Sequence, residues 1–422
     1  MKSRSTTLRL SALAFAVAIT LAGCGGGGGG GATNPPTVTP PVAVVPLKAY
    51  ATSYENRKIL DAIELTGAQL PATANFSAEA DFFQRGKLDV FTSTTNYMPD
   101  PVTMSWDIIK ANPAKYASDL KFSQRDDAGN LTVKQSYKGC LNPRKMLVAD
   151  FNQDGIPDVF VACHGYDGTP LPGEKNTLLL SNKKGTFDVS EVGTVGFYHG
   201  AAAADVNGDG YPDIVVTDIL NAGTGKQVYW YINNKDGTFT KDETRVPLVG
   251  GPYFTTEAVD VDGDGNLDVI IGGHEFDDRC GCINAPTQVL YGTKDGMFSG
   301  RRTTIAPVTG RHVALDFTLV TGKNGDKYVY VGRSSDGRDP AVPYYSASTL
   351  QAFNLNSDSS VSVLPTDKSQ VLVDLLNVNW IPGNYIPVTV NGVNGVTPTR
   401  EWLPPNYNGV LPAVYNFLTD LF

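Results

Sequence analysis

Three short segments of this 422-residue chain set acidic and amide side chains at alternate positions around a glycine. They read ADFNQDGIPDVFVA from Ala149, ADVNGDGYPDIVVT from Ala204 and VDVDGDGNLDVIIG from Val259. The first offers Asp150, Asn152, Asp154, the backbone carbonyl of Ile156, and Asp158. The second offers Asp205, Asn207, Asp209, the carbonyl of Tyr211, and Asp213; the third offers Asp260, Asp262, Asp264, the carbonyl of Asn266, and Asp268. These donors are all oxygens, and Ca²⁺ takes six to eight of them at about 2.3 to 2.6 Å in a forgiving geometry, whereas Mg²⁺ demands a rigid octahedron and keeps its waters. Gly155, Gly210 and Gly265 permit the sharp turn that brings alternate side chains to one point. Carboxylates converging there without a cation would repel one another, so the pattern predicts three Ca²⁺ sites.

The elements that must position these loops follow from the spacing. Asp150, Asp205 and Asp260 stand 55 residues apart, and each loop runs into an apolar, β-branched stretch. A second signature trails each loop: LLLSNKKGTFDVS from Leu178, WYINNKDGTFTKD from Trp230 and VLYGTKDGMFSGR from Val289. Each is strand, tight glycine turn, strand. One period therefore holds two hairpins and four short strands, which is a propeller blade. Ala149 and Ala201 to Ala204 suit an innermost strand crowded near an axis. Eroded copies flank the three: ADFFQRGKLDVFTS from Ala80, with Asp81 lying 69 residues before Asp150, and a segment around Asp316, which lies 56 residues after Asp260. The longer first interval implies an insertion between Thr94 and Cys140. A weak further copy starts near Asp374, and Leu47 to Leu60 reads as an outer hairpin through which the chain ends would share one blade. The expectation is an all-β molecule, a β-propeller of about 55-residue four-stranded blades, seven in number with six as the alternative.

The D-x-[DN]-x-D-G-x-x-D loop, the apolar strand after it and the later N-x-x-G-T-F hairpin resemble FG-GAP/VCBS repeats, the modules that also build integrin α-chain propellers. The resemblance is clearest from Leu147 to Gly300. In the copy from Asp81, Phe83 and Arg85 occupy ligand positions, so that loop is expected to hold no Ca²⁺, with a guanidinium as its counter-charge. The copy at Asp316 lacks the ligand series and is expected to hold none either. The ions would be structural, each pinning a hairpin and coupling its folding to metal.

All four histidines fall away from the acidic loops. His199 and His312 precede their aspartates, while His164 and His274 follow theirs, which puts them on the opposite face. Tyr198, Glu257, Glu275, Arg311 and the run Asp277, Asp278 and Arg279 are expected beside them. Loops converging from a rigid scaffold make a natural ligand site, here for a protein or a glycan. No G-x-S-x-G, H-E-x-x-H or Walker loop occurs, which favours a non-catalytic binding or adhesion module. The competing class is a propeller enzyme, lyase-like on polysaccharide, using histidine and arginine on that face; a third is an assembly partner in a membrane complex.

Residues 1–23 read as a signal peptide: Lys2, Arg4 and Arg9 precede an apolar stretch from Leu10 to Leu21 that is too short to span a bilayer. Leu21-Ala22-Gly23-Cys24 resembles the bacterial lipobox, which implies acylation of Cys24, and Gly25 after it favours the outer membrane. Residues 24–46 form a Gly- and Pro-rich linker, leaving 47–422 as the folded domain. Within it, Asn56 to Leu65 is a short amphipathic stretch. Net charge is -9, with ten Asp in the three loops, so nucleic acid is not an expected partner. Cys140 and Cys163 flank one loop on segments that should pair and are expected to form a disulfide. Cys280 and Cys282 leave a strained ring, a metal pair or free thiols open.

Overall fold

The computed structural model of the chain describes residues 48–49, 76–96, 104–127, 130–219, 226–247, 249, 251–276, 284–298, 300–321, 327–338, 341–342, 347–355, 361–363, 371–376, 385–390, 393–398 and 415–416. All of them lie in one unit, Val44–Phe422. The signal peptide, Cys24, the linker, Asn56 to Leu65 and residues 277–283, with Cys280 and Cys282, fall outside the described residues.

A two-residue strand, β1 (Lys48–Ala49), precedes six antiparallel sheets. The first is β2 (Phe76–Ala80), β3 (Asp89–Thr94), β4 (Asp119–Arg125) and β5 (Leu131–Lys138); the second is β6 (Pro143–Ala149), β7 (Asp158–Cys163), β8 (Glu174–Ser181) and β9 (Phe187–Gly196). The third is β10 (Tyr198–Asp205), β11 (Asp213–Asp218), β12 (Val228–Asn233) and β13 (Phe239–Asp242). The fourth is β14 (Tyr253–Val259), β15 (Asp268–Gly273), β16 (Gln288–Leu290) and β17 (Arg302–Thr304). The fifth begins β18 (Val313–Thr321), β19 (Lys327–Ser334), β20 (Ala347–Leu355) and β21 (Val361–Val363). Its β20 also pairs β22 (Val371–Leu376), and the sixth sheet is β23 (Tyr385–Val390), β24 (Val393–Pro398) and β25 (Tyr415–Asn416). In the first four sheets β2 to β17 neighbour one another in chain order, and β1 joins the third sheet beside β10.

Side-chain alternation explains how these sheets stack. Successive residues of a strand point to opposite faces, and here both faces are covered. On β6, Met146 and Val148 pack with Phe91 and Phe122 of the first sheet, while Leu147 and Ala149 pack with Ile214 and Val216 of the third. On β11, Val215 turns instead toward Val269 and Ile271 of the fourth; on β15, Ile270 turns toward Val329 and Val331 of the fifth. Every neighbouring pair among the first five sheets thus shares its own apolar core, which requires the near-continuous apolar runs seen in the second strands. The innermost strands lie beside one another in chain order, β2 to β6 to β10 to β14 to β18, a propeller-like order. Alanines at 201 to 204, all essentially buried, allow that crowding. Gly200 is required there as well: a Cβ would stand 2.7 Å from the Thr255 Cα on β14.

The trailing G-T-F signature has a packing role. Phe187 stacks on Phe122 of the preceding sheet at 4.0 Å, Phe239 meets Phe151 edge-on at 5.9 Å, and Phe298 stacks on Trp230 at 5.8 Å. Each repeat fastens itself to the one before it through this ring.

The insertion expected after Thr94 is helical. It contains α1 (Trp106–Ala111) and α2 (Pro113–Tyr116), between β3 and β4. Pro113 opens α2, where a missing N–H costs nothing. Among the described residues no helix is long and apolar enough to cross a membrane.

Three sequence expectations are corrected. β1 does not belong to an outer hairpin; Lys48 and Ala49 pair with Asp205 and Ala204 of β10, an inner strand. Asp316 does not open a loop, because β18 continues through it to Thr321. Its 56-residue offset from Asp260 matches by sequence distance and not by place in the hairpin. Asp374 opens no new repeat either, since it stands in β22 opposite Thr349 of β20.

Candidate functional site

The three acidic loops share one backbone arrangement. In the first, the Asp154 and Gly155 N–H groups donate to the two carboxylate oxygens of Asp150 at 3.0 and 2.8 Å. In the second, Asp209 and Gly210 donate to Asp205 at 3.0 and 2.8 Å. The third varies: Gly263 and Gly265 donate to Asp260 at 2.7 and 3.1 Å. The Ile156, Tyr211 and Asn266 N–H groups donate to Asp154, Asp209 and Asp264, which turns the backbone at the ninth-position side of each loop. Asn152 and Asn207 accept from the Asp154 and Asp209 N–H groups at 3.0 and 2.9 Å.

The last aspartate of each loop has a second task that spacing alone did not reveal. Asp158 accepts from the Phe151 N–H at 2.7 Å and from the Ser181 N–H, at the end of β8, at 2.6 Å. Asp213 accepts from Val206 at 3.0 Å and Asn233 at 2.8 Å, and Asp268 from Val261 and Gly292 at 2.8 Å each. One carboxylate therefore ties the first hairpin of a sheet to its third strand. Burial outweighs these hydrogen bonds and pushes each of the three carboxyls up to about 7; a cation at the loop would favour the charged form.

The donor set fits a hard divalent cation, being oxygen throughout. In the third loop, one oxygen each from Asp260, Asp262 and Asp268 lies within 4.8 Å of the others. Among the described residues the first two loops bring together no acidic trio as close. Asp262 also meets the Arg301 guanidinium, which lies over the Tyr291 ring.

The loop from Asp81 keeps the backbone and changes the charge. Arg85 and Gly86 donate their N–H groups to Asp81 at 2.7 and 2.6 Å, as Asp154 and Gly155 do to Asp150. The Arg85 guanidinium then pairs with the fully buried Asp89, the counterpart of Asp158.

At the other end of the same hairpins the four histidines form a ring ladder with phenylalanines. Phe197 lies 4.6 Å from His164, His164 lies 4.6 Å from His199, His199 stacks on Phe254 at 4.3 Å, and Phe254 meets His274 edge-on at 4.3 Å. Farther along, Phe276 meets His312 at 4.7 Å, Arg338 lies over Phe276, and His312 Nδ1 pairs with Asp336. Burial first, then the charge of Arg144, holds the His164 imidazole well below its ordinary range. His199 is held down likewise by burial and by His164, Arg144 and His274. Phe197 and Phe276 stand two residues from His199 and His274, so alternation was the signal that would have found them, and Phe254 stands one 55-residue repeat after His199.

Of the other residues expected there, Tyr198 and Glu257 turn elsewhere, while Glu275 and Arg311 stay beside His274 and His312, buried as those histidines are, and the Glu275 N–H donates to the His312 carbonyl at 2.8 Å. Tyr198 neighbours His199 on β10, so it points to the opposite side, where its hydroxyl meets those of Tyr231 at 2.7 Å and Tyr229 at 3.0 Å. Glu257 lies inside β14 and, with Asp316 of β18, holds Lys145 of β6 at 3.0 and 2.8 Å, all three buried. Glu275 pairs with the buried Arg333 at 2.9 Å and accepts from Thr287 at 2.6 Å. Arg311 is buried and donates to the Gly310 carbonyl at 3.0 Å. Cys140 and Cys163 are disulfide-linked. The link closes the end of the β6–β7 hairpin opposite its acidic loop.

A model of FG-GAP-like repeats matches residues 150–216 and 217–271. Integrin alpha pat-2 of Caenorhabditis briggsae is 28% identical over 182 residues, covering 36% of this chain and 14% of the integrin. The chain thus spans a small part of that relative's length. Residues 150–271 are FG-GAP-like repeats, and they stand within an all-β molecule whose antiparallel sheets pack side by side in chain order.

Proposed function

We propose that this chain is an exported β-propeller that holds Ca²⁺ in three loops and serves as a non-catalytic binding or adhesion module. Its partner, a protein or a glycan, is met on the face opposite the loops. In this reading the propeller has seven blades, or six if the residues beyond the six sheets add none. Acylation of Cys24 tethers it to the outer membrane, and residues 24–46 give it reach.

One observation carries the calcium reading. A loop whose backbone N–H groups donate to its first aspartate recurs three times with oxygen donors, and a fourth time with the Arg85 guanidinium where the donors are missing. Arg301 also meets Asp262 and Lys235 meets Asp209 at 3.3 Å, so these loops draw positive charge with or without the full ligand series, which is the mark of a site built around a cation. The similarity to an integrin α chain supports the adhesion role. His312 paired with Asp336 is where a lyase reading would start. The stacking of His164, His199 and His274 on rings suits a rigid binding surface better than proton transfer.

The test is thermal unfolding of the full-length chain with and without a chelator. Ca²⁺ at a hundred times its dissociation constant adds about 2.7 kcal/mol per site, so the chelated chain melts several degrees lower and recovers on adding Ca²⁺. Equal melting temperatures in both conditions would remove the calcium loops from this reading.

A further inference from the structure

The helical insertion creates a cavity of about 370 Å³ against the second sheet, on the side away from its acidic loop. That volume lies within the range of small-ligand sites, about 300 to 1,000 Å³. Trp106 of α1 and Tyr166, just after β7, line it together, with ring centroids 5.8 Å apart. Tyr166 is buried and Trp106 half-buried, so the indole borders the space. Around this aromatic floor stand Lys110, Lys138, Lys175 and Glu191. Their present partners reach solvent: Lys110 with Asp107 at 2.6 Å, Lys138 with Asp119 at 2.7 Å and Lys175 with Glu191 at 3.2 Å. Exposed pairs of this kind add little stability, so their donors and acceptors exchange readily for a ligand's. Glu174, also lining the cavity, is committed to the backbone: it accepts from the Leu141, Asn142 and Gly165 N–H groups at 2.8, 2.9 and 2.9 Å.

An aromatic plate rimmed by both donors and acceptors is matched by a molecule with an apolar C–H face and hydroxyls around its edge. We infer that this cavity binds a saccharide, one or two sugar units of a glycan, with a ring stacked on Trp106 and its hydroxyls held by the three lysines and Glu191. This deepens the binding-module reading and rests on it, since it names a site and a ligand class on the same side of the hairpins as the histidine ladder.

The test is titration of the full-length chain with a panel of neutral, amino and uronic oligosaccharides, read by tryptophan fluorescence and calorimetry. Saturable binding is expected for at least one class, and comparing the neutral and uronic members shows whether the lysines select a carboxylate. Trp106→Ala weakens that binding by about tenfold or more, the loss of one stacked ring. Because Trp106→Ala also removes packing from α1, the exposed Lys110→Ala and Lys175→Ala provide the second arm, weakening binding several-fold with melting temperature and chelator response unchanged. No saturable binding across the panel, or binding that all three variants leave intact, would overturn the inference. The calcium reading stands or falls separately on the chelator response.

Discussion

Lys145 reaches between carboxylates of two other sheets, Glu257 on β14 and Asp316 on β18, and none of the three side chains reaches solvent. Burial raises the Asp316 carboxyl and Lys145 draws it back, so the cluster is stable as a charged set and poor as a remnant. Removing one partner of a buried ion pair costs about 3 to 5 kcal/mol. Lys145→Met is therefore expected to lower the unfolding free energy read by urea titration by that amount, and adding Glu257→Gln and Asp316→Asn to recover part of it. The imidazoles carry a different sensitivity. His164 and His199 are held below their ordinary range in the folded chain, whereas the unfolded chain protonates them as pH falls through about 6.5. Their stabilising contribution is present above that pH and is lost as pH drops below it. In a His164→Phe, His199→Phe variant, which keeps the ring contacts, the fall in melting temperature between pH 7 and pH 5 should be shallower than in the parent.

The hairpin is the unit in which sequence and structure agree most closely, and the aromatic fastener shows why. Phe298 is buried against Trp230 of the preceding sheet, so Phe298→Ala should cost about 3 to 5 kcal/mol. Val195, exposed on the outer strand β9, is a control: Val195→Ala should stay within about 0.5 kcal/mol. Loop, apolar strand and G-T-F turn are local patterns, and local patterns are legible because propensity, alternation and turn chemistry act within a few residues. Arg85 was legible for the same reason, since its place in the loop fixed what it would meet. Tyr198 and Glu257 were not, because nearness to a loop in sequence does not fix which side a residue faces, and β-strand alternation sends neighbours to opposite sides. The partners of Lys145 lie 112 and 171 residues away, a distance at which no periodicity speaks. Asp316 misled by falling at the expected interval inside a strand that had shifted beneath it.

Across the first five sheets, sheet meets sheet through separate apolar cores, so a disturbance in one loop is felt mainly by the sheets it touches. The acidic loops are not equally isolated from one another. Gln153, at the tip of the first, donates its side-chain amide to the Gly210 carbonyl in the second, joining two loops whose glycine turns hold the acidic side chains in place. The described contacts of the third loop run to Arg301 and to Gly292 of its own repeat. Substitutions at sites that share partners depart from additivity by about 0.5 to 3 kcal/mol, while independent sites add to within about 0.3 to 0.5 kcal/mol. Asp154→Ala combined with Asp209→Ala should therefore deviate from the sum of the single losses in calcium-dependent stability, and the deviation should vanish when Gln153→Ala is the background. Asp154→Ala combined with Asp264→Ala should simply add. Chemical denaturation of the ten proteins, four of them in the Gln153→Ala background, in calcium-saturated buffer reads these interaction energies. Equal additivity in the two pairs would mean that the loops act alone and that the Gln153 contact transmits nothing between them.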